Sequence, residues 1–227
     1  AGVTVVCVDM NGAAAQETAT LVNGVAAPAM DVRDEAAVAA LVAGLERCDV
    51  LVSNAGIWKF TSLLETPVSE ANDVLSVNVV APLIWIKAVA PLMAKNGGGS
   101  IVHLTSVAAR AVASGTGIYP ASKAGVIALT EQAAVELGPM GIRGNAVWPG
   151  RIETEGTAGR TGGNEDSLIG ASAIALGRWG RANDIAEAIG FLCSPQSSYI
   201  TGQVLWVDGG LTIGTNDYLR HMRTSKK

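Results

Sequence analysis

Three segments follow one another in the middle of the chain: Ile101-Val-His-Leu-Thr-Ser106, then Tyr119-Pro-Ala-Ser-Lys123 running on to Leu137, then Gly144-Asn-Ala-Val-Trp-Pro-Gly150. The first is an apolar run closing on two hydroxyls, as expected of a strand buried on both faces. The second keeps helical spacing until Gly138-Pro139 stops it. The third is again a strand, leading into a Pro-Gly turn. Strand, helix, strand in this order builds a parallel pair with a crossover helix.

The same alternation extends in both directions. Val3 to Val8 reads as a buried strand ending at Asp9, Ala13 to Val22 as a helix, and Val25 to Met30 as a second strand. Asp31 is placed to cap a helix from about Asp34 to Glu46, with Ala37, Val38, Leu41, Val42 and Leu45 on one face. Val50 to Val52 is a strand closing on Asn54-Ala-Gly56. Val68 to Lys95 is a long helical pattern in which Pro82 and Pro91 predict a kink or break. Glu153 to Gly177, rich in Gly, Ser and Thr, predicts a mobile substrate loop with a short helix, its glycines from Gly159 to Gly170 suiting a lid. Ala182 to Cys193 is helical, and Val204 to Val207 is the last strand before Asp208-Gly-Gly210. The expected fold is α/β: one domain over residues 1–227, a doubly wound, Rossmann-like parallel sheet with helices on both faces. Ligands of such sheets bind beyond the carboxyl ends of the strands. There the sequence places Asp9, Asp31, Asn54, Ser106, Pro149 and Asp208.

Composition narrows the function classes. Of 227 residues, 49% are apolar and 16% charged, which excludes a disordered chain. Lys plus Arg number 16 and Asp plus Glu 20, a net charge of −4, which is no footprint for nucleic acid. No long uncharged apolar run points to a membrane span. Cys7, Cys48 and Cys193 are odd in number and widely spaced, so they imply a reducing, cytoplasmic compartment rather than disulfides. His103 reads as a core or supporting histidine, and His221 stands in a basic tail, so no metal site is expected.

Tyr119 and Lys123 stand four apart on one helix face. An ammonium beside a phenol stabilises the phenolate and draws its pKa down from about 10. Such a tyrosine can exchange a proton with an alcohol or carbonyl oxygen, and Ser106 can hydrogen-bond the same oxygen. Alone, Tyr-x-x-x-Lys is a short pattern that chance also produces.

The set of landmarks is more specific. Asp9, Asp31-Val32, Asn54-Ala55-Gly56, Asn78, Ser106, Tyr119-x-x-x-Lys123, Pro149-Gly150 with Thr154, Arg178-Trp-Gly180 before Asp184-Ile-Ala186, and Gly202 to Gly210 occur in order over essentially the whole chain. In them the chain resembles the short-chain dehydrogenase/reductase family in its common bacterial form, similar to 3-oxoacyl-acyl-carrier-protein reductases. The resemblance implies an oxidoreductase moving a hydride between a nicotinamide and a secondary alcohol or ketone. Tyr119 would be its acid/base, with Lys123 lowering the tyrosine pKa and holding the nicotinamide ribose. Ser106 would orient the substrate oxygen, and Asn78 would hold a water that relays protons from Lys123. Asp31 and Val32 would flank the adenine; Asn54, Ala55, Gly56, Pro149 and Gly150 would line the cofactor; Ile152 and Thr154 would hold its carboxamide. Asp9 would accept hydrogen bonds from both ribose hydroxyls and repel a 2′-phosphate, so NAD(H) is expected over NADP(H). Its alternative is to cap the helix that begins near Gly12. The family's oligomer contacts fall on the helices Val68–Lys95 and Tyr119–Leu137, and imply a homotetramer. The other reading is a non-catalytic member, an oligomeric scaffold or a nucleotide sensor.

One departure is large. The family's Thr-Gly-x-x-x-Gly-x-Gly phosphate loop is not found, nor is Gly-x-Gly-x-x-Gly. A start at Ala1, between elements, suggests a longer parent from which about 30 residues, one strand, loop and helix, are absent. A short chain with an altered sheet is the alternative. Either way, the strands at Val3 and Val25 are expected to lack the neighbour that joins them to Val50. Smaller departures are Trp148, where the family usually carries a small residue and an indole either narrows the pocket or turns into the helix layer; Trp58, at the pocket rim or in packing; and Gly144, which is expected to weaken its strand. Glu153 and Glu155 read as a solvated loop edge.

Overall fold

The structure, a computed structural model, describes residues 3–154, 171 and 173–213. Its centre is a four-stranded, all-parallel sheet in the order β3 (Val50–Ser53), β4 (Gly99–Leu104), β5 (Ile142–Pro149), β8 (Val204–Val207). β4 and β5 are buried along almost their whole length, as parallel strands covered on both faces must be. On one face α4 (Ala81–Lys95) and α5 (Tyr119–Leu137) pack Ile86, Val89, Met93 and Ala133 onto Ile101 and Ile142. On the other, α6 (Ala182–Cys193) brings Ile185 and Leu192 onto Val102, Leu104 and Val147. This is the doubly wound architecture expected from the alternation.

β1 (Val6–Cys7) and β2 (Val25–Ala26) form a separate parallel pair, and among the described residues no strand joins that pair to β3. Both are shorter than the predicted Val3–Val8 and Val25–Met30, because each is paired on one side only and the ladder ends after two residues. α1 (Gly12–Leu21) lies against the pair; α2 (Glu35–Ala43) packs on α4 through Val42. Asp34, not Asp31, caps α2, accepting from Ala37 N at 3.0 Å, while Asn11, not Asp9, caps α1. A third ladder joins β6 (Ile152–Glu153) to β7 (Gly180–Arg181).

The long helix neither breaks at Pro82 nor ends at Pro91. After α3 (Val68–Leu75) the chain widens into a π turn, Ser76–Val80, and runs on as α4. Pro82 has no N–H for the Asn78 carbonyl four residues back, and the wider turn absorbs the mismatch. Together Val68–Lys95 is 28 residues, long and apolar enough by length and composition to cross a membrane, although Glu70, Asp73, Lys87 and Lys95 interrupt it. Here its second half is a core helix, with Ile86, Val89, Ala90 and Met93 buried.

Gly144 has a packing role. A Cβ there would stand 3.3 Å from both Ala134 N and Thr130 O, so the glycine also lets α5 lie close on the sheet. Trp148 turns into the core: it is 1% exposed and stacks on Trp206 of β8 at 5.0 Å between ring centroids. Trp58 is exposed. Of the loop predicted over 153–177, residues 155–170 and 172, with Glu155 and the lid glycines, lie outside the described residues, as do His221 and the basic tail. The loop's far end is ordered against the last turn, Leu176 N donating to Gly209 O at 3.0 Å.

Candidate active site

Ser106 follows β4 and begins a short 3-10 turn, Val107–Ala109, its hydroxyl accepting from Ala108 N at 3.2 Å. α5 opens at Tyr119, with Pro120 in the first turn where no N–H is needed. Strand end and helix start thus converge, bringing the Ser106 hydroxyl near enough to the Tyr119 phenol to favour its ionised form. Lys123, one turn on, is buried; its Nζ lies 5.8 Å from the Tyr119 ring centroid and donates to Leu104 O at 2.8 Å. Burial drives this ammonium down to about 8.

The tyrosine departs from expectation. Burial raises the Tyr119 phenol above its ordinary value, and the Ser106 hydroxyl only partly opposes the rise. Lys123, whose ammonium is directed at a backbone carbonyl rather than at the phenolic oxygen, does not overcome that rise.

Asn78 lies in the π turn and is buried. Its Oδ1 accepts from Ile57 N at 2.8 Å; its Nδ2 donates to Ile57 O and to Ser122 Oγ, both at 2.9 Å. Ser122 in turn donates to Tyr119 O at 2.7 Å. The side chain is therefore a clamp that holds the Asn54–Ile57 loop against α5, and it has no amide hydrogen left for a water. The backbone carbonyl is the acceptor that Pro82 cannot satisfy. At Gly56 a Cβ would come 3.2 Å from Asn78 Oδ1 and 3.4 Å from Lys123 Nζ, so only a bare backbone fits beside the lysine. Sequence reasoning gave Ser122 and Ile57 no role. Ser122 sits inside the Tyr119–Lys123 motif, and its place on the inner face of α5 is the signal that could have found it.

The remaining site residues lie at the strand ends. Asp9, after β1, is exposed and accepts from Asn11 N at 2.8 Å. Asp31, after β2, is gripped by Arg33, with contacts of 2.6 to 3.0 Å that hold its carboxyl below the usual range. Trp85 Nε1 donates to Val32 O at 3.2 Å, tying that turn to α4. Pro149 ends β5, and Gly150 passes so close to β8 that a Cβ would stand 2.7 Å from Asp208 Cα. Ile152 begins β6, and exposed Thr154 follows it. Arg178 pairs with Asp184 at the start of α6, the ion pair resting beside Ile152 in a cavity of about 190 Å³ also lined by Arg151 and Asp208.

A serine, a tyrosine and a buried lysine gathered at the carboxyl ends of a helix-wrapped parallel sheet fit an oxidoreductase of the dinucleotide-binding class. Comparison with known proteins agrees. A family profile described as enoyl-(acyl carrier protein) reductase matches residues 1–212, and the chain belongs to the short-chain dehydrogenase/reductase family, whose members use nicotinamide cofactors. It is 38% identical over 221 residues to the inactive 2-(S)-hydroxypropyl-CoM dehydrogenase 2 of Xanthobacter autotrophicus, spanning 93% of this chain and 96% of that one. With the 3-oxoacyl-[acyl-carrier-protein] reductase of Thermotoga maritima it shares 42% over 167 residues, 74% of this chain and 67% of the relative. The structure of a gluconate 5-dehydrogenase from Burkholderia cenocepacia, in complex with NADP and tartrate, superposes with a TM-score of 0.87 at 29% identity, over 94% of this chain and 87% of that one.

Proposed function

We propose that the chain is one NAD(H)-dependent oxidoreductase domain that interconverts a secondary alcohol and a ketone, with Tyr119 as the acid/base. The observation that carries this reading is the gathering of Ser106, Tyr119 and buried Lys123 where β4 ends and α5 begins. The residues present fit the nicotinamide end of the cofactor: Lys123 and Tyr119 would hold the ribose, against the bare backbone at Gly56. Asn54 and Ala55 would line the ring with Pro149 and Gly150, Ile152 and Thr154 would take the carboxamide, and Asp31 and Val32 would flank the adenine. When bound, the nicotinamide supplies or removes the hydride at the substrate carbon. Ser106 orients the substrate oxygen, and Tyr119 gives that oxygen a proton on reduction or takes it on oxidation. Lys123, charged, favours the phenolate, and the Asn78 carbonyl receives a water through which the lysine exchanges protons with solvent.

Asp9 supports NAD(H) over NADP(H). Its carboxylate is exposed, and its neighbours Met10 and Asn11 bring no cation to accept a 2′-phosphate. The NADP in the Burkholderia cenocepacia enzyme belongs to that protein. Exposed Val80, Leu83 and Val135 on the two long helices support a homotetramer, which light scattering would detect. The acidic charge balance and three free cysteines support a cytoplasmic enzyme without nucleic-acid or membrane partners.

The test pairs fluorescence titration with turnover. NADH should bind well and NADPH weakly; Tyr119→Phe should still bind NADH, weakened only by the one ribose contact it gives up, but lose turnover on 3-oxoacyl thioesters, polyols and cyclic secondary alcohols. Retained turnover rejects the tyrosine, and equal binding of both cofactors rejects Asp9. A relative named inactive, matched over nearly its whole length, favours a second reading: a non-catalytic member. NADH binding without turnover by the unsubstituted chain would select it.

A further inference from the structure

Two ionisable side chains, Lys123 and His103, are buried among the described residues, and only the first has a place in that reaction. His103 sits on β4 with its Nδ1 2.9 Å from Thr130 Oγ1. Thr130 gives its one hydroxyl hydrogen to Val126 O at 2.7 Å, so it can only accept from the ring. Nδ1 therefore carries the hydrogen and Nε2 a lone pair. Nε2 is buried and has no hydrogen-bond partner in the structure. The residue in register with His103 on the neighbouring strand is Ser53, whose Oγ is likewise buried and unpartnered. Registered residues of parallel strands point to the same face. An unused donor and an unused acceptor thus stand in register on neighbouring strands, not bonded to each other in this structure, and each is costly to leave unmade.

We propose that Ser53, His103 and Thr130 form one directional hydrogen-bond chain, Nδ1–H to Thr130 Oγ1 as the structure shows and Ser53 Oγ–H to Nε2 once the serine hydroxyl turns toward the ring, that makes His103 a positioning residue for the reaction proposed above. The chain joins the elements that carry the site. Ser53 immediately precedes Asn54, β4 runs on into Ser106, and Thr130 lies two turns after Lys123 on the same side of α5. Two further bonds tie the same strand to the same helix nearer the reacting oxygen: Thr105 Oγ1 to Lys123 O at 3.1 Å, and Lys123 Nζ to Leu104 O. The groups facing the ring are Lys123 on α5, Ser53 on β3 and Ala146 on β5, with no acid among them. Burial and the Lys123 charge push the imidazole down to about 4 and keep it neutral, so the direction of the chain is constant at working pH.

Long-range proton–nitrogen NMR of the full chain reads the chain without substrate. The sequence holds two histidines, and His103→Asn identifies the signal by removing it. The expected spectrum is the Nδ1–H tautomer, unchanged across the range where an ordinary histidine titrates. In kinetics, His103→Leu is expected to lower kcat about tenfold or more at unchanged KM, the signature of a misplaced acid/base. His103→Asn, with one donor and one acceptor, should restore most of it, and Ser53→Ala should lose part. An Nε2–H tautomer, ordinary titration, or wild-type kcat in His103→Leu or Ser53→Ala overturns the proposal; if His103→Leu does not fold, the tautomer and Ser53→Ala decide. The kinetic arm rests on the Tyr119 reading, so Tyr119→Phe is assayed beside it. Turnover surviving there rejects that reading, whereas an inactive Tyr119→Phe with an unimpaired His103→Leu rejects only the positioning role.

Discussion

At the scale of single residues the site is dominated by the cost of burying charge. Lys123 lies under the sheet's end with one carbonyl partner and no carboxylate, and burial holds it near 8. Below that value the ammonium is present and favours the phenolate; above it the charge is lost, and the already raised Tyr119 phenol loses its stabiliser. The ratio kcat/KM reports the free enzyme's groups, so for alcohol oxidation it should stop rising, or fall, above an apparent pKa near 8 that belongs to the Tyr119–Lys123 pair. A pH–rate profile that climbs unbroken to the ordinary tyrosine range would contradict this. The residues themselves were legible in the sequence, because Tyr-x-x-x-Lys after a buried strand ending in serine is a local pattern. The partners were not. That Lys123 points at Leu104 O, that Asn78 holds Ile57, and that Ser53 stands in register with His103 depend on how distant segments align, which no local spacing encodes.

Elements show the same division. Strand and helix identities followed from apolar periodicity, yet their ends moved wherever a cap or a missing neighbour intervened: Asp34 displaced Asp31, and one-sided pairing shortened β1 and β2. The π turn had a readable cause in Pro82, but a proline alone does not say whether a helix breaks, kinks or widens. α6 gives a testable case of an end made by tertiary contact. Arg143 reaches from β5 to Leu192 O and Ser197 Oγ, both at 2.9 Å, and to Ser194 O at 3.2 Å, binding the helix's last carbonyls where a positive charge is favoured. Arg143→Met should destabilise the fold by about 2 kcal/mol, and Arg143→Lys should recover less than half, since a point charge cannot span three acceptors. Chemical denaturation measures both; an unchanged midpoint would show the fork to be ornamental.

For the molecule as a whole, the decisive feature is the divided sheet. β4 and β5 are buried on both faces between the more exposed β3 and β8, whereas β1 and β2 are two strands of two residues, a unit of marginal stability by itself. The β1–α2 half is tied to the rest by the Trp85–Val32 bond and by the ion pairs Lys87–Glu35 and Arg33–Asp73, at 2.8 and 3.5 Å. Solvent-exposed pairs of this kind contribute little, so most of the tie falls on the indole and on α2 packing against α4. The two halves should therefore open separately. Hydrogen exchange should be at least about tenfold faster at the Val25 and Ala27 amides, bonded to Val5 O and Cys7 O, than at Thr105, bonded to Val147 O across the central sheet. Trp85→Phe should widen that gap while leaving Thr105 unchanged. Equal protection at the two places would mean that the halves unfold as one unit. It would also mean that Asp9 and Asp31, which the proposed cofactor contacts require, are held as firmly as Tyr119.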